Sequence, residues 1–271
     1  MPAPEVPAGA PLYPSLRGRR AVVLGGSRGI GRTIALRLAR EGCHVFLTYA
    51  RSTAAAEATA AACAALGVQA VAHQADAGDA EEMAAAFRAI EAWGGCDLLV
   101  NNAARGLERP RPAIEQRPKH LHGTMEVNLF GPWQAAQLAA PLMEARGGGS
   151  IVNLLSPGAA HYMPDYSAVG VSKAALASLT MYLAVELAPR GIRVNAVSAG
   201  WVEGSDGEHS LGDDTSERVR PHVPAGRNVR GEDIAAAVAW ICSDETPMLV
   251  GQTIHLDGGF AHAAWRAVLT D

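Results

Sequence analysis

Between Arg20 and Leu256, seven short runs rich in Val, Ile and Leu alternate with longer stretches whose apolar residues recur at helical spacing. Few folds tolerate that alternation. The strand candidates are Ala21–Leu24, His44–Tyr49, Gln69–Gln74, Asp97–Asn101, Ser150–Leu155, Ile192–Ser198 and Thr253–Leu256. The helix candidates between them are Gly31–Glu41, Thr53–Leu66, Ala80–Trp93, Thr124–Ala145, Ser167–Ala188 and Asp233–Ser243. Strands joined through helices pair in parallel, and a parallel sheet needs helices on both faces. The expectation is an α/β chain: one doubly wound, seven-stranded parallel sheet.

Composition narrows the class further. The chain has 271 residues, 49% hydrophobic and 18% charged, enough to bury a core as one domain over 19–271. No apolar run near the length of a membrane span stands out, so no membrane is expected. With 23 basic and 27 acidic residues the formal charge is −4, which argues against a nucleic-acid partner and for a small molecule. Cys43, Cys63, Cys96 and Cys242 match no CxxC or zinc spacing, no histidine set suggests a metal, and cytoplasmic, reduced, buried thiols are expected. Residues 1–18, rich in Pro and Ala, read as a flexible arm without a secretory signal. The stretch 199–224 shows neither periodicity and reads as a loop insertion that closes over a substrate.

The first strand runs into Gly25-Gly26-Ser27-Arg28-Gly29-Ile30-Gly31 and then into a helix. In that setting glycines let the backbone approach a pyrophosphate resting on a helix N-terminus. About twenty residues on, where a carboxylate would meet the ribose 2′-hydroxyl of NAD, the chain has Tyr49-Ala50-Arg51-Ser52. Arg51 and Ser52, with Ser27 and Arg28, suit a 2′-phosphate, so NADP(H) is the expected cofactor.

These motifs, followed by Asp76, Asn101 to Ala104, Asn128, Ser156, the Tyr166 to Lys173 segment, Asn195 to Gly200 and Gly251 to Gly259, occur in an order that resembles the short-chain dehydrogenase/reductase family. The resemblance runs from Arg20 to Phe260 and implies a Rossmann-like fold. It implies that Asp76 and Ala77 lie by the adenine, Asn101 and Ala103 along the cofactor, and Gly200 with Val202 near the nicotinamide. It also implies Ser156 at the substrate oxygen, Asn128 beside a proton-relay water, and a homotetramer or homodimer built on the two long helices.

One departure stands out. Most of the family has Tyr-x3-Lys, but four residues before Lys173 is Val169, and the nearest tyrosine is Tyr166. Seven residues of helix place Tyr166 and Lys173 on one face about 10 Å apart, with Gly170 between them leaving space for a ligand. Only Lys119 and Lys173 are lysines among the 23 basic residues, so an ammonium at 173 in an arginine-rich chain suggests a role that a guanidinium fork fills less well.

The Tyr-x6-Lys spacing resembles type III enoyl-acyl-carrier-protein reductases and cyclohexenylcarbonyl-CoA reductases. It implies NADPH-dependent reduction of the C=C bond of an α,β-unsaturated thioester or enone, in fatty acid or antibiotic biosynthesis, with Tyr166 polarising the carbonyl. Tyr162 is a candidate for the second aromatic residue found in such sites. Ser156 keeps open the alternative, a carbonyl (3-oxoacyl or ketone) reductase or alcohol dehydrogenase. A third reading, NADP binding without turnover, draws on Val169 and on Leu24, Ala199 and Gly204 at positions where the family commonly has other residues. The segment Arg105 to His122 holds five Arg/Lys against two Glu and suits the phosphates of CoA or an acidic carrier protein.

Overall fold

The structure, a computed structural model, describes residues 11–106, 110–204 and 214–263. All seven expected runs are strands: β1 Arg20–Leu24, β2 His44–Tyr49, β3 Ala70–Gln74, β4 Leu98–Asn101, β5 Gly149–Leu155, β6 Ile192–Ala199 and β7 Thr253–Leu256. They form one parallel sheet in the order β3-β2-β1-β4-β5-β6-β7. Chain order reverses between β1 and β4, so a crevice opens outside their carboxyl ends, where ligands of open α/β sheets bind.

The described helices are α1 Gly29–Arg40, α2 Thr53–Ala64, α3 Ala80–Trp93, α4 Pro118–Met125, α5 Gly131–Glu144, α6 Ser167–Leu187, α7 Thr215–Val219 and α8 Gly231–Cys242. Central strands are buried on both faces. Ile34, Leu38, Ile234 and Val238 from α1 and α8 pack on one side, with Val23, Leu47 and Val152. Met83, Ile90, Ala139 and Leu187 from α3, α5 and α6 pack on the other, with Val22, Leu99 and Ile151. The four cysteines are buried and unbridged, and desolvation raises each thiol pKa, to about 11 for Cys63 and about 12 for Cys242.

Three expectations are corrected here. The helix read as Thr124–Ala145 begins at Pro118 and widens into a π-turn over Glu126–Phe130, where the Gly131 N–H donates to the Glu126 carbonyl five residues back. Pro132 offers no N–H to the Asn128 carbonyl, which favours that break in the α pattern. The N-terminal arm is anchored from Leu12 onward: the Leu12 and Tyr13 amides donate to the Glu41 carboxylate at 2.7 and 3.0 Å, and Leu16 is buried in the core. Residues 1–10 lie outside the described residues. Finally, Ser167–Arg190 is long and apolar enough to cross a membrane, with mean hydropathy 1.5. It is the core helix α6: Leu176, Leu183 and Leu187 are buried, whereas Val171, Met181, Tyr182 and Val185 face outward.

Candidate active site

The turn after β1 is held from three sides. The Gly25 N–H donates to Thr48 Oγ1 at 3.3 Å, the Gly26 N–H to the Thr48 carbonyl at 2.9 Å, and Asn102 Nδ2 to the Gly25 carbonyl at 2.8 Å. Gly25 has φ +72°, and a Cβ there would come within 2.9 Å of Ala103 Cα. A Cβ on Gly31 would collide with the Gly25 carbonyl and Asn102 Nδ2, so the turn closes only over glycine. Gly29, by contrast, has open space around it at the first residue of α1. Ile30 is half-buried behind it against the core. The first N–H groups of a helix have no partner one turn back, no side chain of Arg28 caps them, and no acidic residue stands in the first turn of α1. A diphosphate fits this cradle.

The expected 2′-phosphate residues surround the same end of the sheet. Ser27 is buried, its carbonyl held by Thr59 Oγ1 at 3.0 Å, while Arg28, Arg51 and Ser52 are exposed. Ser52 is the N-cap of α2, whose first turn also lacks an acid. Two acid-free helix starts with two arginines make an anion-selective rim.

Further along the crevice the side chains divide into lining and framework. Asp76 is half-buried and accepts the Gly78 N–H at 2.9 Å; Ala77 is buried, its carbonyl against Gly131. Asn101 faces inward rather than along the crevice: its Nδ2 donates to Asn153 Oδ1 at 2.7 Å, and Asn153 Nδ2 donates to Thr180 Oγ1 at 2.9 Å. Asn101 therefore ties β4 and β5 to α6, and Asn102, which the motif reading passed over, holds the glycine turn. Thr48 and Thr59 are likewise framework that sequence reasoning missed. Gly200 extends β6, its N–H donating to the Leu256 carbonyl at 2.7 Å, and Val202 is buried in a bridge to Val229.

Tyr166 caps the start of α6, and its ring lies on Gly158, where a Cβ would sit 2.6 Å from Cδ1. Burial raises the phenol pKa, and the neighbouring Ser156 hydroxyl partly offsets that rise. Ser156 Oγ is closed off from solvent and makes no well-directed hydrogen bond, an orphan polar atom pointing at function. Val169 is buried. Gly170 does not open ligand space: a Cβ there would meet the Gly158 carbonyl at 2.8 Å, so its role is close packing of α6 on the Ser156 loop. Tyr162 is 89% exposed.

Lys173 is buried, and its Nζ donates to the Leu154 carbonyl at 2.7 Å. Desolvation pulls its pKa down to about 8. A buried ammonium with only a backbone carbonyl is expensive for a fold and marks a functional position.

Asn128 is fully buried in the π-turn. Its Oδ1 accepts the Arg105 N–H at 2.7 Å, and its Nδ2 donates to the Arg105 carbonyl at 3.1 Å and to Ser172 Oγ at 3.0 Å. Both amide protons are committed, so the side chain is a clamp between the β4 exit and the residue before Lys173. A relay water would have to use the main-chain carbonyl that Pro132 leaves without a helical donor.

Within the stretch 199–224, residues 205–213 lie outside the described residues. Its outgoing limb is fixed by Trp201 Nε1 donating to Ser216 Oγ at 2.7 Å and Asn228 Nδ2 donating to the Ser216 carbonyl at 2.8 Å. Among the described residues no cluster of three His, Cys, Asp or Glu suits a metal.

Comparison with known proteins bears on this geometry. A family model described as Enoyl-(Acyl carrier protein) reductase matches residues 25–261. The chain belongs to the short-chain dehydrogenase/reductase family. It is an NAD(P)-dependent oxidoreductase, which sets aside the reading of cofactor binding without turnover. It is 38% identical over 242 residues to the 3-oxoacyl-[acyl-carrier-protein] reductase FabG of Staphylococcus aureus, covering 89% of this chain and 97% of that one. It is 33% identical over 251 residues to 3beta-hydroxysteroid dehydrogenase 1 of Eggerthella lenta, covering 92% and 95%. The structure of a gluconate 5-dehydrogenase from Burkholderia cenocepacia, solved with NADP and tartrate, superposes with a TM-score of 0.85 at 30% identity, covering 93% and 99%.

Proposed function

We propose that this enzyme uses NADPH to reduce the C=C bond of an α,β-unsaturated thioester or enone, with Tyr166, Lys173 and Ser156 as its catalytic residues. The observation that carries this reading is the buried Val169 four residues before Lys173, with the phenol of Tyr166 seven before it. In direct carbonyl reduction the carbon that takes hydride is bonded to the oxygen that gains charge. In a conjugated acceptor two further atoms separate them, so the donor belongs farther along, as here.

NADPH supplies the hydride. The glycine turn from Gly25 to Gly31 and the start of α1 would hold the diphosphate, Ser27, Arg28, Arg51 and Ser52 the 2′-phosphate, and Asp76 with Ala77 the adenine. Lys173 would exchange its bond to the Leu154 carbonyl for the ribose hydroxyls. As the β-carbon gains hydride, the π electrons move onto the carbonyl oxygen, where the Tyr166 hydroxyl donates a hydrogen bond and the Lys173 ammonium stabilises the charge. The Ser156 hydroxyl beside Tyr166 is available as a second donor. A proton taken up from solvent at the α-carbon completes the saturated product.

A second reading, reduction of a 3-oxoacyl thioester or another ketone, is favoured by the relatives named above, whose printed names point to carbonyl or alcohol substrates. The Ser156 hydroxyl beside Tyr166 suits it as well. On the names of relatives this second reading has the stronger support; on the tyrosine position the first does. Product masses separate them: crotonyl thioester consumed with NADPH and converted to butyryl supports the first. Turnover of acetoacetyl thioester alone, giving 3-hydroxybutyryl, overturns it in favour of the second.

The outward Val171, Met181, Tyr182 and Val185 on α6, with Phe130 and Trp133 near α5, suit a homotetramer or homodimer, measurable by light scattering.

A further inference from the structure

Among the described residues Asp165 is the only one besides glycine with a positive φ, +59°, and it stands immediately before Tyr166. The Tyr166 N–H donates back to the Met163 carbonyl at 3.4 Å, so Met163-Pro164-Asp165-Tyr166 closes a turn. Proline at the second place and a positive φ at the third are the pattern of a type II turn, which favours glycine or asparagine at the third. Aspartate is tolerated in that backbone region, whereas a β-branched residue is not. Tyr166 follows at φ −105° and ψ 10°, and its carbonyl accepts the Gly170 N–H at 2.8 Å. The turn therefore fixes where α6 starts. The ring is seated from the other side by Gly158, where a Cβ would stand 2.6 Å from Tyr166 Cδ1 and 2.8 Å from Cε1. Gly158 has no positive φ, so its own backbone does not call for glycine; the tyrosine ring does.

Resting on the reductase reading above, we propose that Asp165 and Gly158 are positioning residues for Tyr166. The left-handed turn sets the direction in which the tyrosine side chain leaves the backbone, and the bare surface of Gly158 seats its ring, so that the hydroxyl arrives beside Ser156. A backbone held in a costly region at one end of the loop and a side chain withheld at the other converge on one phenol. Burial and the Ser156 hydroxyl, not the Asp165 carboxylate, set the pKa of that phenol, which leaves backbone geometry as the contribution of Asp165.

The experiment is single-turnover NADPH oxidation with saturating crotonyl-CoA or acetoacetyl-CoA, whichever the wild type reduces. Asp165→Gly and Asp165→Asn, which keep the left-handed turn without the carboxylate, should stay within about threefold of wild type. Asp165→Val and Gly158→Ala should each lower the rate at least tenfold with NADPH affinity within twofold, inside the roughly hundredfold that a misplacement of about 1 Å can cost. In a Tyr166→Phe background the same two substitutions should cost less than about twofold, since no hydroxyl is left to misplace. Equal losses in both backgrounds would make the loop merely structural and overturn the proposal, as would Asp165→Gly as slow as Asp165→Val. The phenol is also read without turnover, as the part of the alkaline near-ultraviolet tyrosine absorbance that Tyr166→Phe removes. Burial holds this ionisation above the ordinary 10.0, and Asp165→Val or Gly158→Ala should bring it down as the ring leaves its buried seat. That lowering, in an enzyme whose rate Tyr166→Phe leaves unchanged, would support the seat and sink the role given to Tyr166 in the reductase reading. A hundredfold loss in Tyr166→Phe, with rate and ionisation untouched by Asp165→Val and Gly158→Ala, would keep that role and overturn the seat.

Discussion

The two edges of the sheet treat buried charge in opposite ways. At the amino-terminal edge Asp97 is buried and saturated: it accepts the Arg20 N–H at 2.6 Å and two bonds from Arg146 at 2.7 and 3.0 Å. At the carboxyl edge Lys173 is equally buried but meets only the Leu154 carbonyl. The same backbone carries both. Pairing at the first edge secures the fold, and the missing counter-charge at the second leaves an ammonium to be satisfied by what binds there.

Lys173→Met breaks the comparison most sharply. It should lower hydride transfer by roughly a thousandfold, since on the proposed mechanism it removes both the charge at the reacting oxygen and the ribose contact. The folded protein should nevertheless be more stable. Lys173 has a pKa of about 8 in the fold against the ordinary 10.5, so below pH 8 the fold carries a buried charge that the unfolded chain solvates. That depression corresponds to roughly 3 kcal/mol, less about 1 kcal/mol for the lost bond to Leu154. Denaturant titration at pH 7 should show a gain near 2 kcal/mol; a loss would mean that the lysine is a structural residue.

Asp97→Ala is the converse. It should cost about 3 kcal/mol by stranding the groups that converge on it, while kcat and KM of the folded fraction stay within twofold. A catalytic defect would contradict the separation of the two edges.

The pH dependence sharpens the contrast without a mutation. From pH 8 to 10.5 the unfolded chain holds the lysine proton more tightly than the fold does, so this group makes stability rise with pH across that window. Activity of the free enzyme should fall above about pH 8 as the ammonium is lost. Parallel changes of rate and stability would contradict the assignment.

Asn102→Ala, which frees the Gly25 carbonyl, should weaken NADPH binding about fivefold with kcat retained, as one neutral hydrogen bond allows. Titration of nicotinamide fluorescence reads it directly.

Most of the fold was legible because the strand runs are short, apolar and regularly spaced: each of the seven is observed, with ends moved by a residue at most. The break at Glu126–Phe130 escaped because apolar periodicity continues through it, although Pro132 four residues after Asn128 was a readable signal. The N-terminal segment was misread for a related reason. Pro and Ala imply no periodicity, and the partner that anchors Leu12 and Tyr13 is Glu41, far away in sequence. In the site, glycine spacing and the tyrosine shift showed where to look. What could not be read was which way side chains turn, Asn101 inward to Asn153 and Asn128 onto Arg105, and which backbones approach, as Gly170 does Gly158. Those depend on packing between elements distant in the chain.

The central claim is that Tyr166, displaced from the family position, donates to the reacting oxygen. The direct measurement is the single-turnover rate of NADPH oxidation with a saturating substrate for Tyr166→Phe beside wild type, with NADPH affinity measured on both. A loss of at least a hundredfold, with affinity within twofold, is the result predicted for a positioned proton or hydrogen-bond donor. A rate within threefold of wild type would contradict it and leave Ser156 as the group that meets the substrate oxygen.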